Sequence, residues 1–349
     1  MRDGVDALIA STPETMGYLH GFHEGGHERL LILCLRSNGE ERMIAPALSL
    51  QQATRAGVAD VRTWEDGEDP IALFKELARD WDLAAAVLAV DNDLEAAKLL
   101  AMQEALPAAL FKPAQAVLST LMRSKGPEEL DAMLTAARIA DAAFERALPQ
   151  LEAGQTELGF AQILMGQMRE LGGAPTFCIV AAGPNGAEPH HLTDETVIGD
   201  GDVVVIDFGC SVDGYQSDVT RTVCCGRATE EAKEVYRTVW NAHRAARAEI
   251  RPGQQCQCVD RAAREVIELA GRGKFFNHRT GHGIGLRTHE EPNIVEGNSF
   301  ELEIGNCFSI EPGIYIPGKF GVRIENIVTV TDDGHLSQNS EPPPELLEI

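Results

Sequence analysis

Asp207 and Asp218 are the residues of this sequence whose type and spacing first point to chemistry. Asp207 follows a β-branched run, VVVI, and Asp213 with Gly214 is a strong signal for a two-residue hairpin turn. With the turn there, Thr220 lies opposite Asp207, and Asp218 projects from the same face as Asp207. Two carboxylates on one face repel each other, which indicates a cation site or acid–base work. Two solvated hairpin aspartates are the alternative.

A second pair of carboxylates, Glu311 and Glu325, repeats this arrangement near the end of the chain. The two glutamates flank the turn segment PGKFG, with Gly318 midway between them. In a hairpin centred on that glycine the two side chains face each other, with Cβ atoms about 4.5–5.5 Å apart. Glutamates that close could bridge or share metal ions about 3.5–4 Å apart.

His282 lies between the two carboxylate pairs in sequence, in the segment TGHGIGLRTH at 280–289, which we predict to be a glycine-rich loop. Four carboxylates and one imidazole form an oxygen-rich ligand set for divalent metal ions. Such a set favours manganese and leaves zinc or cobalt as alternatives. The ions would polarise a carbonyl and lower the pKa of a bridging water, so that hydroxide attacks at neutral pH. Taken singly, His282 and Glu325 are more typical of structural or solvated positions.

Three further histidines, His20, His23 and His27, crowd the segment YLHGFHEGGH at 18–27. Their spacing does not match the i, i+4 pattern of helical metal ligands. We interpret this segment as a loop that faces substrate or a second subunit, with a solvated loop and a metal site as alternatives.

The elements that must position these residues divide the chain into two parts at about residue 120. The first part alternates short apolar runs with helical patterns, such as the helix predicted over 70–81, which indicates a small α/β domain. The second part opens with a long Ala-rich helix that begins with proline and acidic residues. The predicted elements of the second part are helices over 127–150, 156–171, 229–251 and 259–269, and strands over 177–181, 203–206, 307–316 and 322–330.

The composition excludes several functional classes. Lys plus Arg number 30 against 54 Asp plus Glu, and a formal net charge of −24 argues against binding to nucleic acid or to anionic lipid. The N-terminal residues lack a signal-peptide pattern, and no apolar run approaches the ~18 residues of a membrane span. Eight scattered cysteines without a CxxC motif indicate reduced thiols, so we predict a cytoplasmic protein.

The ordered motifs resemble one known family. Asp207 with Asp218, then GHGIGLRTH, EPGIY and VRIEN, resemble the pita-bread metallopeptidases and, within them, the Xaa-Pro peptidases aminopeptidase P and prolidase. GVDALIAS and MGYLHGF resemble the start of the creatinase-type N-terminal domain of that group, although the helix that normally precedes this strand is nearly absent. The resemblance implies an α+β protein with a creatinase-like α/β domain at 1–120 and a catalytic pita-bread domain at 121–349.

The resemblance also implies a role for each candidate residue. The metal ligands would be Asp207, Asp218, His282, Glu311 and Glu325. His190, rather than the adjacent His191, would face substrate and stabilise the tetrahedral intermediate, and His289 would lie near the scissile carbonyl. Glu311 would also carry a proton from water to the leaving imino nitrogen. Tyr315 and Arg323 would hold the carboxylate of Asp207.

The implied activity is hydrolysis of the bond between an N-terminal residue and a penultimate proline in peptides. A prolidase, restricted to dipeptides, must recognise the free carboxylate. The N-terminal domain shows no obvious basic cluster for that carboxylate, which favours the aminopeptidase. A creatinase-like C–N hydrolase and a non-catalytic binding protein are further alternatives, and the complete ligand set argues against a metal-free creatinase and against a binding protein. The resemblance also implies a homodimer.

Overall fold

The structure is a computed structural model that describes residues 4–349. The chain divides into two compact units, Met1–Leu121 and Met122–Ile349. In the first unit the strands are β1 (Ala7–Ala10), β2 (Ile32–Arg36), β3 (Glu41–Pro46), β4 (Val61–Trp64), β5 (Val87–Val90) and β6 (Leu110–Pro113). The accompanying helices are α1 (Pro13–His20), α2 (Leu50–Arg55), α3 (Pro70–Asp80), α4 (Ala96–Ala105) and α5 (Gln115–Met122), which ends at the unit boundary.

The described strands of the first unit form one mixed sheet in the order β4-β3-β2-β1-β5-β6. Its central strands are buried on both faces, which explains their continuous apolar sequences. On β2, for example, Ile32 and Cys34 join one apolar cluster, whereas Leu33 joins the other. Helix α3 matches the predicted helix over 70–81, with Asp69 accepting a hydrogen bond from the Ile71 N–H at its start.

The second unit carries four long helices within its described residues: α6 (Pro127–Ala147), α7 (Glu157–Glu170), α8 (Glu230–Ala248) and α9 (Cys256–Leu269). Its longer strands are β7 (Ala174–Ala182), β8 (Val203–Val212), β10 (Val219–Cys224), β12 (Glu290–Ile294) and β16 (Asn326–Thr331). Its shorter strands are β9 (Tyr215–Gln216), β11 (Gly281–Gly283), β13 (Cys307–Ile310), β14 (Gly313–Ile316), β15 (Phe320–Arg323), β17 (Gly334–Ser337) and β18 (Leu347–Glu348).

Two larger sheets and one hairpin organise the second unit. One sheet has the order β18-β10-β8-β7 with β9 paired to β8, the other has the order β12-β11-β13-β16-β17, and β14 pairs with β15. Helices α6 and α7 pack on β7, β8 and β10 around one apolar cluster. Helices α8 and α9 pack on β13 to β16 around another. The strands that carry the predicted site residues are therefore backed by helices.

Alanines let helix α6 approach the sheet closely. Ala136, Ala140, Ala143 and Ala147 recur at helical spacing and are fully buried. The helix ends at Ala147 and continues as a 3₁₀ turn, so the helix predicted over 127–150 has the right start and a slightly shorter end. Across residues 4–349, no helix combines the length and the apolar character needed to cross a membrane.

Candidate active site

The first hairpin places the two aspartates as the sequence predicts. Asp213 and Gly214 form the two-residue turn between β8 and β9, and both have positive φ angles, 49° and 85°. Thr220 lies opposite Asp207 in the ladder of β8 and β10. Asp218 immediately precedes β10 and is only 4% exposed. Both carboxylates line one cavity, which excludes the interpretation as solvated hairpin residues.

The second hairpin keeps the predicted register but is interrupted at its two glutamates. On one side of the break β13 pairs with β16, and on the other β14 pairs with β15, in a continuous register that sets Glu311 opposite Glu325. At the break, the backbone N–H groups of the two glutamates form hydrogen bonds with other segments of the chain. The Glu311 N–H donates to the Thr280 carbonyl at 2.8 Å, and the Glu325 N–H donates to the Thr220 carbonyl at 3.1 Å. The interruption thus ties Glu325 to the aspartate hairpin.

His282 lies on strand β11, not in the loop predicted for the glycine-rich segment. The two flanking glycines allow neighbouring strands to approach closely on both sides. A Cβ on Gly281 would collide with the Ser309 carbonyl, and a Cβ on Gly283 would collide with the Glu291 backbone. Glycines that look like loop residues in sequence therefore permit β11 to sit between β12 and β13.

The ring of His282 presents one free lone pair to the carboxylates. Its Nδ1 lies 3.0 Å from the carbonyl oxygen of Gly283, which can only accept, so Nδ1 carries the proton. Its Nε2 lies 3.3 Å from Glu311 Oε1 and 3.7 Å from Asp218 Oδ2. Burial lowers the pKa of His282 to about 3, so the ring is neutral at physiological pH.

The four carboxylates and His282, hereafter the carboxylate cradle, fit a bound cation. Asp207 Oδ1, Asp218 Oδ1 and Glu325 Oε1 are buried without a hydrogen-bond partner in the described part of the chain. Burial, as the largest cause, raises the pKa of Glu311 to about 7 and the pKa values of Asp218 and Glu325 well above their usual range. Ligand atoms of Asp218, His282 and Glu325 all lie within 4.8 Å of one another. Buried unpaired anions are costly, and a divalent cation would remove that cost.

Arg323 braces the cradle from behind. It is 4% exposed, and its guanidinium donates to Asp207 Oδ2 at 2.7 Å, to the Tyr315 hydroxyl at 3.0 Å and to Thr220 Oγ1 at 3.1 Å. Thr220 in turn donates to Glu325 Oε2 at 2.7 Å. Arg323 therefore contacts Asp207 directly, whereas Tyr315 reaches that carboxylate only through Arg323.

His278 belongs to the same network and was missed by sequence reasoning. Its Nδ1 donates to the Arg279 carbonyl at 2.7 Å, so its Nε2 accepts from the Tyr315 hydroxyl at 2.9 Å. Burial lowers the pKa of His278 to about 4, which keeps the ring neutral and able to accept. The signal available in the sequence was the run NHR immediately before the TGHG segment.

The predicted site residues other than Tyr315 line a single cavity of about 640 Å³ in the second unit. The residues that line this cavity are Thr176, Phe177, Ile179, Pro189, His190, Asp207, Asp218, His278, Arg279, His282, Thr288, His289, Glu311, Arg323 and Glu325. Four carboxylates thus line one part of the cavity, and the rest of the lining includes apolar, imidazole and arginine side chains. Such a mixture suits a small amphipathic ligand.

The two further predicted histidines differ from the cradle in being accessible. His190 is exposed and lines the cavity, whereas the adjacent His191 is buried and contacts Glu157 Oε2 through Nε2 at 2.7 Å. His289 is exposed, and its ring centroid lies 4.2 Å from that of His282. Partial burial, followed by the charge of Arg279, lowers the pKa of His289.

A second acidic cluster, formed by Glu157, His191 and Asp194, has ligand atoms close enough for an ion. The oxygens of Glu157 are already engaged, because Oε1 accepts from the Ala182 N–H at 2.7 Å and from Asn185 Nδ2 at 3.0 Å, and Oε2 faces His191. This cluster therefore serves to fix the chain around His190.

The N-terminal histidines do not form a metal-type cluster within the described residues. His20 lies at the end of helix α1 and contacts Glu41 Oε1 through Nε2 at 3.0 Å. The ring of His23 packs where a side chain on Gly17 would project. The segment is thus part helix and part loop.

Comparison with known proteins agrees with this geometry. Residues 131–332 match the Metallopeptidase family M24, and residues 1–123 match the Creatinase/Prolidase N-terminal domain. The chain is 38% identical over 345 residues to the "Probable dipeptidase PepE" of Mycobacterium tuberculosis, covering 97% of this chain and 91% of the relative.

Two solved structures show the same architecture. The prolidase from Thermococcus sibiricus has a TM-score of 0.96 and 36% identity, with 100% of this chain and 95% of that chain covered. The X-Pro aminopeptidase from Thermotoga maritima has a TM-score of 0.88 and 30% identity, with 100% and 97% covered. The matched family models and the cradle of carboxylates lead to one conclusion: this chain is a member of metallopeptidase family M24, with a creatinase-type N-terminal domain and a pita-bread C-terminal domain.

Proposed function

We propose that this protein is a metal-dependent Xaa-Pro dipeptidase, which hydrolyses the bond between a first residue and a C-terminal proline. The observation that best supports hydrolase activity is the carboxylate cradle, whose buried oxygens lack hydrogen-bond partners, beside a cavity of peptide size. The similar PepE and the Thermococcus prolidase bear dipeptidase names, which favours the dipeptidase over the aminopeptidase expected from the sequence.

Two divalent ions are proposed as cofactors, with manganese preferred and zinc or cobalt as alternatives. The residues that would hold them are Asp207, Asp218, His282, Glu311 and Glu325. When bound, the ions supply Lewis acidity toward the scissile carbonyl and make water a nucleophile at neutral pH. The neutral His282 with its free Nε2, and the three unpartnered carboxylate oxygens, are suited to this task.

Glu311 is proposed as the proton carrier of the reaction. Burial raises the pKa of its carboxyl to about 7 in the metal-free fold, and Ser309 Oγ donates to Oε1 at 3.1 Å. A carboxylate in this place accepts a proton from the attacking water. It then delivers that proton to the imino nitrogen, which leaves poorly until it is protonated.

His190 and His289 are proposed to contact the substrate. Both are accessible and line the cavity, so an N–H of either ring could donate to the oxygen that gains charge as the carbonyl is attacked. The contact between His191 and Glu157 fixes the chain next to His190, and Glu157 is fully buried. Arg323 holds Asp207 directly, and Tyr315 and His278 support Arg323.

The proposal extends to domain roles and assembly. We assign catalysis to residues 121–349 and a creatinase-like accessory role to residues 1–120, in a cytoplasmic homodimer. The family resemblance supports the dimer, and eight unpaired cysteines suit a reducing compartment. Light scattering should give about twice the chain mass of 37.8 kDa, and a mass of one chain would contradict the dimer.

The activity is tested with two peptides of different length. Purified protein loaded with Mn²⁺ should cleave Ala-Pro and leave Ala-Pro-Ala essentially intact, and chelation should abolish the cleavage of Ala-Pro. Efficient cleavage of the tripeptide would instead establish the second candidate, an Xaa-Pro aminopeptidase. The similarity to the Thermotoga enzyme supports that candidate. Cleavage that survives full removal of metal would overturn both.

A further inference from the structure

His289, which we propose contacts the substrate, lies at the end of a loop over residues 284–289 between strands β11 and β12. This loop has no regular secondary structure, and Thr288 and His289 of the loop line the cavity. A group that stabilises charge in the transition state must be held firmly, because a displacement of about 1 Å can lower the rate by about 100-fold. The need to hold His289 in place rests on the proposed function.

Lys125 and Glu290 form a buried ion pair next to this loop. Lys125 Nζ lies 2.9 Å from Glu290 Oε2, and the two side chains are only 1% and 9% exposed. Glu290 directly follows His289 and opens strand β12, where it lies opposite Gly283. Neighbouring side chains of an extended segment project to opposite sides. His289 lines the cavity and the ion pair does not, so the pair lies behind the segment that presents His289.

The second oxygen of Glu290 holds the loop itself. Glu290 Oε1 accepts from the Arg287 N–H at 3.0 Å, which closes residues 287–290 into a turn. Gly285 packs directly against the ion pair, because an added Cβ there would lie 2.7 Å from both Glu290 Oε2 and Lys125 Cε. One carboxylate thus joins the backbone of the loop to the ammonium group of Lys125.

Lys125 is itself anchored within the second unit. Its N–H donates to the Gly305 carbonyl at 2.8 Å. The preceding Ser124 pairs with Asn306, whose side-chain nitrogen donates to Ser124 Oγ at 2.9 Å. Asn306 immediately precedes strand β13, which leads to Glu311. The ammonium group is therefore attached to a segment of chain whose backbone is fixed at the start of that strand.

Stability alone does not account for this ion pair. The loss of hydration of two buried charges offsets most of their attraction, so a well-packed apolar pair of similar volume is often as stable or more stable. The ion pair instead provides a defined geometry. The Glu290 carboxylate accepts from two directions, from the Lys125 ammonium and from the Arg287 N–H, and a fully bonded buried group of this kind is rigid.

We propose that the buried ion pair of Lys125 and Glu290 positions His289, by holding the loop at 284–289 so that the imidazole faces the reacting carbonyl. Both are positioning residues, because neither lines the cavity. The contact of His289 with the substrate strengthens as charge develops on the carbonyl oxygen. Loss of the ion pair should therefore lower kcat more than it raises KM.

The first test removes the ion pair and measures turnover. Lys125→Met should lower kcat for Ala-Pro by about 10–100-fold with little change in KM, while the Mn²⁺ content stays that of the wild type. Because this variant leaves the Glu290 carboxylate buried without its partner, a second variant combines Lys125→Met with Glu290→Gln and leaves no uncompensated charge. It should fold and show the same loss of kcat. Lys233→Met, which removes a surface lysine paired with Glu348, should leave kcat unchanged.

A double-mutant cycle links the ion pair to His289. In the His289→Ala background, Lys125→Met should lower kcat by less than about 3-fold, because the residue that the ion pair positions is already absent. A further loss of about 3-fold or more in that background would overturn this inference while the dipeptidase stands. A kcat close to that of the wild type in the combined variant would overturn it equally.

Hydrogen exchange measures the loop without turnover. In the metal-free protein, peptides that cover residues 284–290 should exchange about 10-fold faster in the combined variant than in the wild type, whereas Lys233→Met should match the wild type. Unchanged exchange would overturn this inference, whatever the substrate of the enzyme. If the wild type cleaves no Xaa-Pro peptide but exchange rises as expected, the proposed function fails while the hold of the ion pair on the loop is supported.

Discussion

At the scale of single residues, the hydroxyl of Tyr315 joins the two sides of the network behind the cradle. It accepts from Arg323 and donates to His278, so one oxygen atom fixes both the guanidinium and the imidazole. Removal of a group that orients metal ligands in this way typically lowers metal affinity or activity by about 10–100-fold.

We expect Tyr315→Phe to lower kcat/KM for Ala-Pro by about 10–100-fold, because Arg323 and His278 each lose a partner. Tyr236→Phe is the matched control, since Tyr236 is equally buried and its hydroxyl donates to the Pro343 carbonyl at 2.9 Å, away from the cavity. Both variants should lose about 1 kcal/mol of stability in chemical denaturation. Equal activity in the two variants would show that the Tyr315 hydroxyl has no part in the site.

The type of each cradle residue could be predicted from the sequence, but the network around it could not. Residue type and motif identify Asp207, Glu311 and His282 as candidate ligands in the sequence. Thr220 and His278 do not, because a threonine or a histidine gains its role only from residues far along the chain. Thr220 and Glu325, for instance, meet because the two hairpins pack together, and no local pattern encodes that contact.

At the scale of elements, strand β11 shows how sterics decide the position of His282. Gly281 and Gly283 sit between two neighbouring strands whose backbones occupy the space of a Cβ. The segment lacks the β-branched residues that mark a strand, so its sequence indicates a loop. Tertiary packing overrides that local preference.

Substitution of Gly281 by alanine should therefore be severely destabilising, by about 3 kcal/mol or more, because the Ser309 carbonyl cannot move without breaking the sheet. Gly166→Ala is the control. Gly166 lies within helix α7 with no atom within 4 Å of an added Cβ, and alanine there should stabilise by up to about 1 kcal/mol. Urea denaturation measures both, and a near-neutral Gly281→Ala would contradict the packing described for β11.

The hairpin registers were predictable, whereas the interruption of the second hairpin was not. Turn residues and side-chain alternation fix which residues oppose each other, and these rules are local. The break at Glu311 and Glu325 depends on hydrogen bonds to Thr280 and Thr220, which come from other strands. The same break explains why two long predicted strands are four short ones.

At the scale of the whole molecule, we expect the cradle to couple stability to pH and to metal binding. Without metal, burial raises the pKa of Glu311 to about 7 and the pKa values of Asp218 and Glu325 above their usual range. The folded state therefore binds more protons than the unfolded chain between the ordinary carboxyl pKa, about 4.5, and about 7. The slope of the unfolding free energy against pH is proportional to the number of protons bound by the unfolded state minus the number bound by the folded state. That difference is negative here, so stability falls as pH rises through this window.

We expect the Tm of the metal-free protein to fall by roughly 5 °C between about pH 5 and about pH 8. Mn²⁺ should raise the Tm more at the higher pH, because protons compete with the metal for the carboxylates. Glu311→Gln should flatten the pH dependence of the metal-free protein. A larger effect of Mn²⁺ at the acidic end would contradict the cradle as its site.

The broad organisation of the molecule was accessible from the sequence, because each unit has its own pattern. Strands buried on both faces mark the first unit, and helices followed by acidic hairpins mark the second. The proposed preference for dipeptides was harder to predict, because neither the chain length nor the metal-ligand motifs distinguish a dipeptidase from an aminopeptidase.

The proposed mechanism depends above all on two divalent ions, which we propose are held together by Asp207, Asp218, His282, Glu311 and Glu325. Equilibrium dialysis against Mn²⁺, followed by elemental analysis, measures this directly. We expect about two ions per chain in the wild type and in the surface variant Asp332→Asn, and about one or fewer in Asp218→Asn. A wild type that binds no ion, or an Asp218→Asn variant that binds as many ions as the wild type, would contradict it.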